Sequence, residues 1–117
     1  MNNKYAISNK GKNMNPAQDI LDRGTELAVA VTRETTLENG RHAVKLAAIE
    51  RIMKSGDNPM TGKPHSFSSA EAAVSLDSQY SNYLDDLAQA QHERIMARAR
   101  YDAAIAAARL ACGEMAV

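Results

Sequence analysis

Residues 54–67 read Lys54-Ser55-Gly56-Asp57-Asn58-Pro59-Met60-Thr61-Gly62-Lys63-Pro64-His65-Ser66-Phe67, and the reading of this stretch decides the fold. Two of the three prolines and two of the six glycines of the chain fall within it. Lys54 puts positive charge in a last helical turn, Gly56 supplies a left-handed cap, and Pro59 cannot continue a helix. The spacing predicts a loop over 57–67, and the chain on either side of it is helix-forming.

Upstream, Asn15 is placed to cap a helix, Pro16 suits its first position, and Gln18, Asp19 and Asp22 put polar and acidic groups in the first turns. Ile20, Leu27, Val31, Leu37, Val44, Leu46, Ile49 and Met53 follow, mostly at helical spacings. A helix is therefore predicted over about 16–55. Its weak point is Thr35-Thr36 with Asn39-Gly40, where glycine costs about 1 kcal/mol against alanine; a continuous helix is favoured over a break. Downstream, Ser68-Ser69-Ala70-Glu71 matches a capping box with Ser68 as the cap, opening a short helix over 69–76. Asp77-Ser78 reads as a second cap, and a third helix runs over about 78–111, with Gly113 as its stop.

The chain has 117 residues, so a single helical domain over 15–113 is expected, preceded by a flexible basic tail over 1–14 that carries Lys4, Lys10 and Lys12 and no acid. Aromatic residues make up 4 % of the chain, too few for a sandwich or barrel core, while the alanine-rich second half suits close-packed helices. The first and third helices, each roughly 50–60 Å long, must cover one another. The predicted fold is all-α: a long antiparallel, coiled-coil-like helical hairpin with a short connecting helix. Val29, Ala43, Ala47, Ile52, Ala103 and Ala107 do not all fit one seam, which makes a homodimeric four-helix bundle a natural extension.

An apolar alignment gives the hairpin a register. Met53 faces Tyr80, Ile49 faces Leu84, Leu46 faces Leu87, Leu37 faces Ile95, Val31 faces Tyr101, Leu27 faces Ile105 and Gly24 meets Ala108, with His42 opposite Gln91 in a polar middle layer. Charge supports the antiparallel sense. Each long helix begins acidic and ends basic, so antiparallel pairing sets acid beside base at both ends.

The chemistry-bearing residues have simpler structural roles. His42, His65 and His92 show no metal-ligand spacing, so no metal is expected. Asp85 and Asp86 are adjacent and point about 100° apart on a helix, which suits the helix dipole rather than acid–base work. Thr61-Gly62-Lys63 lacks the first glycine of a phosphate loop and is followed by Pro64. The one cysteine, Cys112, forms no internal disulfide and reads as a small buried or incidental residue rather than a cross-link between two chains. No cofactor and no catalytic residue is expected, and the chain is read as a non-enzyme. The first residues lack the apolar run of a signal peptide, and no apolar stretch is long enough to span a bilayer. A cytoplasmic protein without a membrane partner is the expectation.

The segment Asn58-Pro59-Met60-Thr61-Gly62-Lys63-Pro64-His65-Ser66, the capped short helix after it and Tyr80-Ser81-Asn82-Tyr83-Leu84 resemble small helical accessory proteins encoded by phages and prophages. The resemblance covers about 58–109. It implies a factor that binds a host or phage protein, or that assists nucleic-acid transactions, in the host cytoplasm; it carries over no functional residue. The leading expectation is thus a protein-interaction factor using its helical faces, as a homodimer or on a protein partner. Phe67, the one phenylalanine, and Lys63 are candidate contacts of the loop. The alternative is a nucleic-acid-binding or recombination accessory protein that uses Arg94, Arg98 and Arg100, with Arg94 and Arg98 on one helical face. A formal net charge of zero and the absence of interleaved aromatics weigh against that alternative.

Overall fold

A computed structural model describes residues 15–116. The predicted tail over 1–14 lies outside the described residues. The fold is an all-α helical hairpin: α1 over Pro16–Lys54, the short helix α2 over Phe67–Ala72, a 3-10 turn over Val74–Leu76, and α3 over Ser78–Ala116. Among the described residues no helix is long and apolar enough to cross a membrane.

The caps explain most of the boundaries. The Asn15 side chain accepts from the Ala17 amide at 2.8 Å, so α1 starts where the Asn-Pro pair predicts. Helix α1 then runs unbroken through Thr35 and Gly40 to Lys54. Gly56, at φ +140°, turns the chain away in a conformation that side-chain-bearing residues rarely adopt. The loop folds on itself: Asn58 donates to the Lys63 carbonyl at 2.7 Å, its own carbonyl accepts from Gly62 at 2.8 Å, and its side chain accepts from the Met60 amide at 2.9 Å. Gly62, at φ +69°, makes that reversal without strain.

Two boundaries correct the sequence reading. The cap of α2 is Ser66, whose side chain accepts from the Ser69 amide at 3.1 Å, so the helix opens at Phe67 and not after Ser68. Glu71 does not reach back as a capping-box acid; it pairs with Lys45 of α1 at 3.2 Å. A cross-helix cation outcompetes a local backbone amide for the carboxylate. The predicted helix over 69–76 is in fact α2 followed by the 3-10 turn. At the other end, α3 continues past Gly113 to Ala116, since one glycine costs too little to stop a helix in the absence of a proline.

The chain divides into two compact units, residues 32–92 and residues 15–31 with 93–116 among those described. In the unit of residues 32–92, Ala48, Ile49, Ala70, Val74 and Tyr80 form the buried cluster, with Val44, Ile52 and Leu84 packed against it. Helix α2 and the 3-10 turn therefore serve as a lid on the end of α1. In the other unit the buried side chains are Ala97 and Ala104 of α3, and the Tyr101 ring lies where a Cβ on Gly24 would come within 3.3 Å of it.

The antiparallel sense is as expected, but the register is not. Tyr101 meets Gly24 rather than Val31, about two turns away on α1. Tyr83 lies against Gly40, and its hydroxyl donates to the Leu37 carbonyl. At two places the expected pairing of large residues with large gives way to tyrosine against glycine, while Ile49 and Leu84 do pack in one cluster. Met53 at 41 %, Leu46 at 38 % and Ile95 at 54 % exposure accordingly lie outside the core they were expected to form. His42 and His92 are exposed too, so the polar layer expected around His42 does not form.

Candidate functional site

The closed end of the hairpin carries the candidate site. Within the unit of residues 32–92, the last turns of α1, the loop, α2 and the 3-10 turn line a groove of about 870 Å³. Ile52, Pro59, Met60 and Leu76 contribute apolar surface to it, and Arg51, Asp77 and His65 contribute polar groups. Met60 is 89 % and Leu76 86 % exposed, the highest values among the large apolar side chains of the described residues. Side chains of this kind, held exposed beside one groove, mark a surface suited to protein contact.

The groove rests on a fixed polar frame. Arg51 donates to Asp77 from both Nε, at 3.2 Å, and Nη2, at 2.7 Å. Asp77 also accepts from the Tyr80 amide at 2.8 Å, so one carboxylate caps α3 and ties it to α1. The Arg51 guanidinium first, and the Tyr80 amide next, hold the Asp77 carboxyl below its ordinary range. Near the loop, His65 Nδ1 lies 3.0 Å from the Ser69 hydroxyl, which donates to the Ser66 carbonyl at 3.1 Å. Ser69 is thereby engaged in the start of α2.

Asp77→Ala should lower the stability of the chain by about 1 kcal/mol, the ordinary worth of an N-cap, with Arg51 losing its partner. The pH dependence follows from the depressed carboxyl. Its contribution is full above the unfolded carboxylate pKa and is lost as pH falls through the lower folded value. Urea midpoints of the native chain and the variant should therefore converge in acid and separate toward neutral pH. A gap that persists unchanged into strong acid contradicts this role for Asp77.

The residues expected from sequence to make contacts are not brought together. Phe67 is exposed at 52 % on the first turn of α2 but does not line the groove. Lys63 is exposed in the loop, where its backbone serves the turn. Arg94 is half-buried on the seam side of α3. Arg98 pairs with Asp102 at 3.6 Å, and Arg100 reaches Glu26 of α1 at 3.7 Å. Arg98 and Arg100 thus find these acids within their own unit. Cys112 is exposed, which fits the incidental and not the buried reading of it. Among the described residues no group of histidine, cysteine and carboxylate side chains could hold a metal ion.

The sequence reading missed Arg51, Met60, Leu76 and Asp77 as a constellation. Leu76 directly before the Asp77-Ser78 cap was the available signal: an apolar residue at the end of a helix too short to bury it. No protein-family model, no curated protein and no solved structure matches the chain.

Proposed function

We propose that the protein is a non-enzymatic interaction factor that docks a protein partner, of the host or phage kind implied by the sequence resemblance, at the closed end of its hairpin. One observation carries this reading: Met60 and Leu76 are displayed almost fully exposed beside a groove whose walls are tied by the Arg51–Asp77 pair. Such a site suits an apolar segment of another protein, with Arg51 and Asp77 fixing the shape of the groove rather than performing chemistry.

A photo-crosslinker at Met60 tests it in cells that express the protein. The expected result is one specific adduct that is lost in Leu76→Asp, with the helical circular dichroism unchanged because Leu76 is exposed. Adducts only with chaperones, or one that persists in Leu76→Asp, would remove the reading. The nucleic-acid alternative predicts a different result: a salt-sensitive shift of single-stranded or duplex DNA, lost in Arg98→Ala/Arg100→Ala.

A further inference from the structure

We propose that the outer face of α3 between Met96 and Gly113 is a homodimer interface on which the same face of a second copy of this chain lies antiparallel. A surface helix ordinarily carries its charges on the side away from its packed seam. Here that side carries none. Met96, Ala99, Ala103, Ala106 and Leu110 recur at heptad spacing opposite the seam residues Ala97, Tyr101 and Ala104, and all five are exposed. Met96 at 43 % and Leu110 at 70 % exposure supply apolar area to bury, and the alanines permit two helices to approach closely. The unit that holds this face has little core of its own. Among the described residues Ala97 and Ala104 are its buried side chains, while Leu21, Val29 and Ile95 are each more than half exposed.

Shape and charge both select a second copy, in one register. With the twofold axis between Ala104 and Ile105, Ala103 faces Ala106 of the second copy, Ala99 receives Leu110 and Gly113 receives Met96, so each large side chain meets a small one. Asp102 and Arg109 lie one heptad apart on a single edge of the face. Antiparallel twofold pairing brings like edges together, and this register puts Asp102 beside Arg109 of the second copy, twice by symmetry. Sliding by one heptad opposes Asp102 to itself in one direction and Arg109 to itself in the other. On the opposite edge Arg100 reaches Glu26 of its own chain at 3.7 Å and meets the uncharged Ala107 of the second copy. Asp102 also pairs with Arg98 at 3.6 Å, whereas no acid among the described residues pairs with Arg109. These exposed contacts specify register and orientation more than they add affinity, which comes from the apolar layers. The face shares no residue with the groove, and the proposal stands independently of what the groove binds.

Sedimentation velocity of the full chain over a concentration series should show a dimer. Ala103→Glu places a charge in the central layer and should weaken dimerisation by about tenfold or more, with the helical circular dichroism intact because position 103 is exposed. In a Cys112→Ser background, mild oxidation of a mixture of Ala103→Cys and Ala106→Cys chains should yield the mixed disulfide in preference to either homodisulfide. A monomer at every concentration overturns the proposal. So does a dimer that ignores Ala103→Glu, since it would use another face. Preference for the homodisulfides would mean parallel pairing and overturns it as well, because the choice of a second copy rests on the antiparallel register.

Discussion

Ile49→Ala should be the most damaging single truncation in the chain, lowering stability by about 3 kcal/mol within the usual 2–5 kcal/mol range for such cavities. Ile49 is 2 % exposed and is the one large side chain that is fully buried among the described residues. Its buried neighbours include Ala48 and Ala70, which have no side-chain length with which to fill a void. The cavity should therefore stay open, and the cost should fall in the middle of the range or above it rather than at its low end. Ile49 also joins α1 to α2, the 3-10 turn and the start of α3 through the cluster with Ala70, Val74 and Tyr80. Truncation should loosen the lid that shapes the groove. Urea denaturation measures the loss, with Ile49→Val as a graded control at about 1 kcal/mol. A loss under 1 kcal/mol for the alanine variant would mean that the cluster is not the centre of the fold.

The parts legible in the sequence were those fixed within a few residues. The Asn15-Pro16 start, the Gly56 turn and the Asp77 cap each rest on local backbone chemistry, and each stands where the sequence places it. The Ser68 cap failed for a non-local reason: its supposed partner Glu71 is drawn to Lys45, a residue 26 positions earlier that only folding brings near. Register failed in the same way. Periodicity identifies the face of a helix that is buried, but not which residue it meets, and matching large apolar residues to each other ignores the glycine notches that receive Tyr83 and Tyr101. The candidate site was legible only in part. Phe67 and Lys63 drew attention as the aromatic and the cation of a loop, whereas the exposed pair Met60 and Leu76 becomes visible only once the 3-10 turn shows Leu76 unable to reach the core.

Gly40→Ala should lower stability by about 1–2 kcal/mol, against the gain of about 1 kcal/mol that helix propensity alone would give at an open helical site. A Cβ at position 40 would sit 2.9 Å from the Tyr83 hydroxyl oxygen, closer than the two atoms can approach. That hydroxyl donates to the Leu37 carbonyl, so the ring cannot simply step aside. Moving it forfeits a hydrogen bond worth about 0.5–1.5 kcal/mol and disturbs a packed seam at a further cost of about 1–3 kcal/mol. The sign should reverse in a Tyr83→Phe background. Without the oxygen, the nearest remaining ring atom, Cζ, is 3.9 Å from the added carbon, an ordinary contact, and the propensity gain should reappear. The double-mutant cycle should therefore show a coupling of about 2–3 kcal/mol. Gly24 provides the contrast. There the added Cβ would meet the Tyr101 ring edge at 3.3 Å, not its oxygen, so Tyr101→Phe should leave the effect of Gly24→Ala unchanged. Gly40→Ala stabilising the chain in both backgrounds would show that the notch does not hold Tyr83. It would also remove the reason for α1 to retain glycine in the middle of a long helix.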